Sequence, residues 1–166
     1  MSGHDRAMRW DAFEEACPEI ALAAHERFAR DQLVMVGTIR KDGSARISPN
    51  EPDFAAGRLY VSMMWRSMKA LDLLRDPRIV VHSVTTNKDG TDGDVKLYGR
   101  VIDERDPEIR EAFRSAIRAR IDWAPDEPTY HCFSVDVSSA AYVVFGEHPH
   151  ALTWDPAGGL RSLTVQ

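Results

Sequence analysis

Three cations and a hydroxyl have the types and spacing to hold an anion: Arg66, Ser67 and Lys69 in the run Trp65-Arg66-Ser67-Met68-Lys69, and Arg46 on an earlier segment. Serine is a favoured helix N-cap. A helix beginning there aims unpaired N–H groups and the positive end of its dipole at whatever lies in front. Arg66 and Lys69 beside that end, with Arg46 reaching in from a strand, make a compact phosphate cradle. The plainer reading of the same cations is a solvated surface patch, since charged side chains usually stay in water.

Other chemistry-bearing residues form weaker patterns. His148-Pro149-His150, with His131 and Cys132, fits no standard zinc spacing, so no metal site is expected. Asp89 to Asp94 lacks the glutamate and ligand alternation of a calcium loop and reads as a solvated hairpin loop. Gly37, Gly57, Gly93 and Gly99 make no dinucleotide fingerprint. His82 lies among Val80, Val81 and Val84 and reads as a core or interface histidine, while Lys96 interrupts an otherwise apolar strand. Cys17 and Cys132 read as buried small side chains rather than a disulfide.

The elements that must position these residues follow from pattern. Pro18 can start a helix with Ile20, Ala24 and Phe28 on one face. The apolar run 33–39 and the alternating run 45–48 flank Asp42-Gly43, which predicts a hairpin. A third strand over 59–64 follows the turn at Ala56-Gly57, and Ser67 then opens a short helix that Asp76-Pro77 ends. Strands are expected over 79–84 and 95–102, and a helix after Pro107 carries Ile109, Phe113, Ala116 and Ile117. Two more strands, 132–137 and 142–145, close the sheet. Residues 1–30 read as a helical N-terminal segment, and 146–166 as a C-terminal tail containing Leu152 and Trp154. Many short strands with few helices predict a mainly β (α+β) fold, an antiparallel barrel with peripheral helices.

Composition narrows the function classes. A chain of 166 residues is one domain, and 26 acidic against 21 basic residues give a net charge of −5, with no broad footprint for nucleic acid or an anionic membrane. The polar opening Met1 to Trp10 holds no apolar signal-peptide core, so the expected location is cytoplasmic.

In order, the Asp-Gly-Ser hairpin with Arg46 on its second strand, the apolar strand, Ser67-Met68-Lys69 at a helix start and Arg75-Asp76-Pro77-Arg78 resemble the pyridoxamine 5′-phosphate oxidase-like family. The resemblance runs from about Leu33 to Val144. It implies a split β-barrel of the FMN-binding type, forming a homodimer with a phosphorylated flavin or deazaflavin at the subunit interface. Carried over, Arg46, Ser67 and Lys69 hold phosphate, joined by Arg66 and Ser48. Ser62, Met63 and Met64 line the ring system, and Lys96 faces the partner's cofactor. FMN is the first cofactor and coenzyme F-420 the alternative. The implied activity is hydride transfer between reduced cofactor and a small organic substrate, for which Trp65, Tyr98, Tyr142 and Trp154 are stacking candidates. The chain departs from the family in two places. Met68 stands where an arginine is common, and the arginine-rich C-terminal segment of true pyridoxamine phosphate oxidases has no equivalent, so oxidation of pyridoxamine phosphate is not expected. The competing reading is a non-catalytic barrel that binds flavin or haem, with His82, His131 or His148 as axial ligand.

Overall fold

A computed structural model describes residues 6–164; residues 1–5 and 165–166, the outer ends of the two predicted flanking segments, lie outside the described residues. Helix α1 (Trp10–Ala16) buries Trp10 and Phe13, and Pro18 starts helix α2 (Pro18–Asp31), which buries Ile20, Ala24 and Phe28 as the spacing predicts. Separation of the N-terminal segment into two helices is new, and it follows from Pro18, which is well placed at the first position of a helix and poorly placed inside one.

Strands β1 (Val34–Ile39) and β2 (Ala45–Asn50) form the predicted hairpin. Its turn requires glycine, because Gly43 has a φ of +85°. The strand β3 (Pro52–Ala55) has no counterpart in the sequence reading; it returns through Ala56 and Gly57 into β4 (Arg58–Met64). Those two turn residues have φ values of 48° and 72°, the sense required by a two-residue type I′ hairpin turn.

Helix α3 (Met68–Arg75), β5 (Arg78–Ser83), β6 (Asp94–Asp103) and helix α4 (Pro107–Ile121) follow in the predicted order. Asp106 caps α4, its Oδ1 accepting from the Glu108 N–H at 2.8 Å. The two expected closing strands are one strand, β7 (Tyr130–Val144), because Ser139 to Ala141 stay paired with β6 although the stretch lacks the β-branched and aromatic residues that mark a strand. A bulge at Tyr98 and Gly99 absorbs the curvature there. A Cβ on Gly99 would lie 1.9 Å from the Asp136 carbonyl oxygen, so this close approach admits only glycine. The expected tail is a hairpin of β8 (His150–Asp155) and β9 (Gly159–Leu163) on the second half of β7.

The sheet runs β2-β1-β5-β6-β7-β4-β3 and curls around its interior face without closing. At the gap, Asn50 Nδ2 at the end of β2 donates to the Ser62 carbonyl on β4 at 3.1 Å, where a side chain replaces a ladder. This is the expected mainly-β split barrel with peripheral helices. Alternation sends Val34, Val36, Leu59, Val61, Val81 and Leu97 inward against Trp10, Phe13, Phe28 and Trp154. A second cluster of Tyr60, Phe113, Ile117, Tyr130 and Cys132 lies under α4. Both cysteines are free and buried, and burial pushes the Cys132 thiol up to about 12. Among the described residues no helix is long and apolar enough to cross a membrane.

Candidate functional site

The gap between β2 and β4 is where the predicted residues gather. Alternation puts Arg46, Ser48 and Asn50 on one face of β2, with the buried Val36 as the partner of Ser48. Helix α3 crosses this row. Lys69 Nζ donates to the Pro49 carbonyl at 2.6 Å and to Asn50 Oδ1 at 2.7 Å, and burial holds its pKa below the ordinary lysine value. An ammonium has three donors, so one remains for a ligand.

Ser67 occupies the N-cap position, as expected, with the Leu71 N–H bonding its carbonyl at 2.9 Å. Its side chain makes no cap. The Ser67 Oγ is buried and has no hydrogen-bond partner, an arrangement that costs about 1–3 kcal/mol unless something else fills the site. An anion at the start of α3 would take the Oγ proton together with the free helix N–H groups.

Arg46 is tied more tightly than the sequence suggests. Its Nε donates to Asp72 Oδ2 at 2.6 Å, and the same buried carboxylate accepts from Thr38 Oγ1 at 2.9 Å and meets Arg75 at 3.2 Å. Burial alone would raise the Asp72 pKa, but the hydrogen bonds from Arg46, Thr38 and Arg75 hold it below the usual carboxylate range. Asp72 lies one turn along α3 from Lys69, so it keeps the guanidinium beside the helix that carries the rest of the cradle.

Arg66 has a left-handed φ of 55°, and its backbone N–H donates to His131 Nε2 at 3.1 Å. That bond places the imidazole proton on Nδ1, and burial lowers the His131 pKa, which keeps the ring neutral. Trp65 stacks on His131 with centroids 4.5 Å apart, and His131 stacks on Phe133 at 5.5 Å. The stack fixes the β4–α3 turn and hence the position of Ser67.

Ser62, Met63, Met64 and Lys69 line one cleft of about 620 Å³ with Asn50, Glu51, Trp123 and Tyr130. Met63 points into the core and Met64 is exposed, so only Ser62, Met64 and backbone groups offer surface there. Arg46 lines a different groove of about 560 Å³, on the open face of the sheet with Ile47 and Tyr98. Lys96 also lies on that open face, opposite His82 in the ladder and paired with Asp94. Within one chain it does not join Ser67 and Lys69. Of the stacking candidates, Trp154 is core against Phe13 and Tyr142 lies under Arg27, whereas Trp65 and Tyr98 are accessible. Asn50, Asp72 and Trp123 are not singled out as site residues by the sequence, and His131 is named there only as a metal or axial-ligand candidate, not as the acceptor that holds the β4–α3 turn. Asn50 alone carried a local signal, the two-residue alternation from Arg46.

No protein-family model matches the chain, and no curated protein matches it. Solved structures do. A pyridoxamine 5′-phosphate oxidase-related, FMN-binding protein from Nostoc punctiforme superposes with a TM-score of 0.65 at 15% identity, covering 90% of this chain and 96% of that one. The fold is the split barrel of pyridoxamine 5′-phosphate oxidase-like proteins. A haem-binding protein from Mycobacterium smegmatis has a TM-score of 0.58 at 17% identity over 86% of this chain, which spans only 57% of that protein's length. HutZ, the haem storage protein of Vibrio cholerae, has a TM-score of 0.60 at 14% identity, covering 74% of this chain and 90% of that one. The split-barrel architecture is thus shared by structures described as flavin binders and as haem binders.

Proposed function

We propose that this chain binds a phosphorylated flavin, FMN first and coenzyme F-420 second, in the gap between β2 and β4, and works as a cytoplasmic oxidoreductase. The observation that carries the reading is the buried, unpartnered Ser67 Oγ at the start of α3, beside the desolvated ammonium of Lys69. Ser67 and Lys69 hold the phosphate, with Arg46 steered toward them by Asp72 and Arg66 flanking the turn. Ser48, Ser62, Met64 and the backbone of Met63 lie along the ring system. Bound flavin supplies the hydride chemistry, and the protein's part is binding, orientation and exclusion of water. No side-chain acid or base is needed for that division of labour. The open sheet face bearing Ile47 and Tyr98 is covered by a second copy, which brings Lys96 and His82 into the shared interface.

Thermal stability and fluorescence, followed together during titration with FMN, F-420 and haem, test the assignment, because a ligand that binds only the folded state raises its stability. Saturable binding of FMN or F-420 is expected. Lys69→Ala should weaken it by about 1.5–3 kcal/mol, the loss of a charge-assisted contact. Ser67→Ala should weaken it too, while leaving the ligand-free protein as stable as wild type or more so, since the deleted hydroxyl caps nothing. Unchanged affinity in both variants would remove the cradle from the site.

Haem is the second reading, supported by the two haem-protein neighbours. His131 Nε2 already accepts from Arg66, which leaves His82 and His148 as the better-placed axial candidates. A Soret band that is lost in His82→Ala or His148→Ala, with no response to FMN or F-420, would establish that reading in place of the first.

A further inference from the structure

Past Lys69 the cleft between β2 and β4 changes character. Its outer wall is built by Leu33 before β1, Met64 at the end of β4, Ile117 on α4 and Trp123 in the α4–β7 connection. Three of these are large apolar side chains left in water: Leu33 is 37% exposed, Met64 77% and Trp123 60%. Scattered exposed apolar residues mean little, but several around one concavity mark a place where a ligand removes them from water.

Trp123 is held ready. The residue before it, Asp122, closes α4 in a left-handed conformation, its N–H bonding the Arg118 carbonyl at 2.9 Å. Two residues later the Pro125 carbonyl accepts from Arg114 Nε at 3.0 Å. Both bonds go back to α4. The indole is therefore presented on a backbone pinned on either side, so little ordering entropy stands against binding.

The charge of the lining gives the sign of the occupant. Glu51, Asp53 and Asp126 contribute three carboxylates against the single ammonium of Lys69. Arg120 neutralises Asp53, at 2.9 Å, and reaches Glu51 at 3.3 Å, but Asp126 lies beyond these pairs and Lys69 is turned toward Pro49 and Asn50. A ligand carboxylate or phosphate here would meet like charge.

We infer that the outer cleft is the subsite of the second reactant, a planar apolar molecule without negative charge, with Trp123 as its contact wall. The word reactant rests on the flavin reading above, whereas binding at the subsite does not. Selectivity against anions comes from Glu51 and Asp126, and selectivity for flat molecules from the indole. The inner part of the cleft, at Ser62 and Lys69, stays with the cofactor.

Three naphthalenes of one shape test this on the full chain, with and without FMN: 2-naphthylmethanol, 2-naphthylmethylammonium and 2-naphthoate, followed by calorimetry and by quenching of tryptophan emission. The alcohol and the ammonium should bind and quench, with 2-naphthoate about tenfold weaker or worse, the factor worth one modest like-charge contact. Trp123→Ala, at an exposed position that leaves the core untouched, should weaken the alcohol by about three- to tenfold and remove most of the quench. Glu51→Gln with Asp126→Asn should close the gap between naphthoate and alcohol. Equal affinity for all three in the wild type, a quench that survives Trp123→Ala, or no naphthalene binding would overturn the inference. FMN titration of the same samples separates the two readings. FMN binding without naphthalene binding sinks the subsite and leaves the cofactor site; naphthalene binding without FMN binding does the reverse.

Discussion

At the scale of single residues, Asp72 decides how Arg46 behaves. A carboxylate with only 3% of its side chain exposed is costly unless paired, and Arg46, Arg75 and Thr38 supply the partners. Because its folded pKa lies below the unfolded value, the stabilisation is fully present above about pH 4, near the ordinary aspartate value, and is lost as pH falls through the folded pKa. Asp72→Asn should therefore destabilise the protein at pH 7 by about 2–3 kcal/mol, less than a fully buried pair because Arg46 and Arg75 both reach solvent. Chemical denaturation from pH 7 to pH 3 checks it: the gap between wild type and variant should shrink toward the acid end, and a gap independent of pH would show that the ion pair contributes nothing. The pair also marks a limit of reading the sequence. Ser67 and Lys69 were legible because a helix start advertises itself in three or four residues. That Asp72 would capture Arg46 was not, since it depends on how far α3 leans over β2, a tertiary fact with no local signature.

Among the elements, those with a strong local period were legible: the second half of the N-terminal segment, the first hairpin, α3, β5 and α4 stand within a residue or two of where pattern puts them. The failures share a cause. β3 is four residues long and starts with Pro and Asp, the middle of β7 is Ser-Ser-Ala-Ala, and β8 and β9 are divided by Pro156, Ala157 and Gly158. Each is a strand by virtue of its neighbour, not its own composition. For the β8–β9 hairpin the neighbour is β7, and the anchor is Trp154, 3% exposed and edge-on to Phe13 at 5.0 Å. Trp154→Ala should cost about 3–5 kcal/mol as the cavity beside α1 opens. Leu163, half-exposed at the far end of β9, is the control: Leu163→Ala should stay within about 0.5 kcal/mol of wild type. Urea denaturation of both variants measures the difference, and similar midpoints would mean that the hairpin is an appendage rather than part of the core.

The whole molecule presents two faces of one sheet with unequal cover. Helices α1 and α2 close the interior face, while the outer face of β2, β1, β5 and β6 carries Met35, Ile47, Val80 and Tyr98 with no element of the described residues over them. Ile47 is 72% exposed, and the face holds grooves of about 560 and 540 Å³ that share Gly37, Ile47 and Val80. An apolar surface this continuous is unusual on a monomer, and a second copy is the simplest cover because a two-fold axis lets the same patch meet itself. It also bears on chemistry, since Lys96 and His82 lie on this face, away from Ser67 and Lys69, and would enter a common site only from a second copy. Sedimentation should accordingly find a dimer at tens of micromolar, burying about 800 Å² per partner or more. Ile47→Asp places a charge at the centre of the patch without touching the core and should yield a folded monomer of unchanged circular dichroism. If the two-subunit arrangement completes the site, the same variant should lose flavin affinity although Ser67 and Lys69 are intact. A monomeric variant that binds FMN as well as wild type would confine the site to one chain and leave Lys96 outside it.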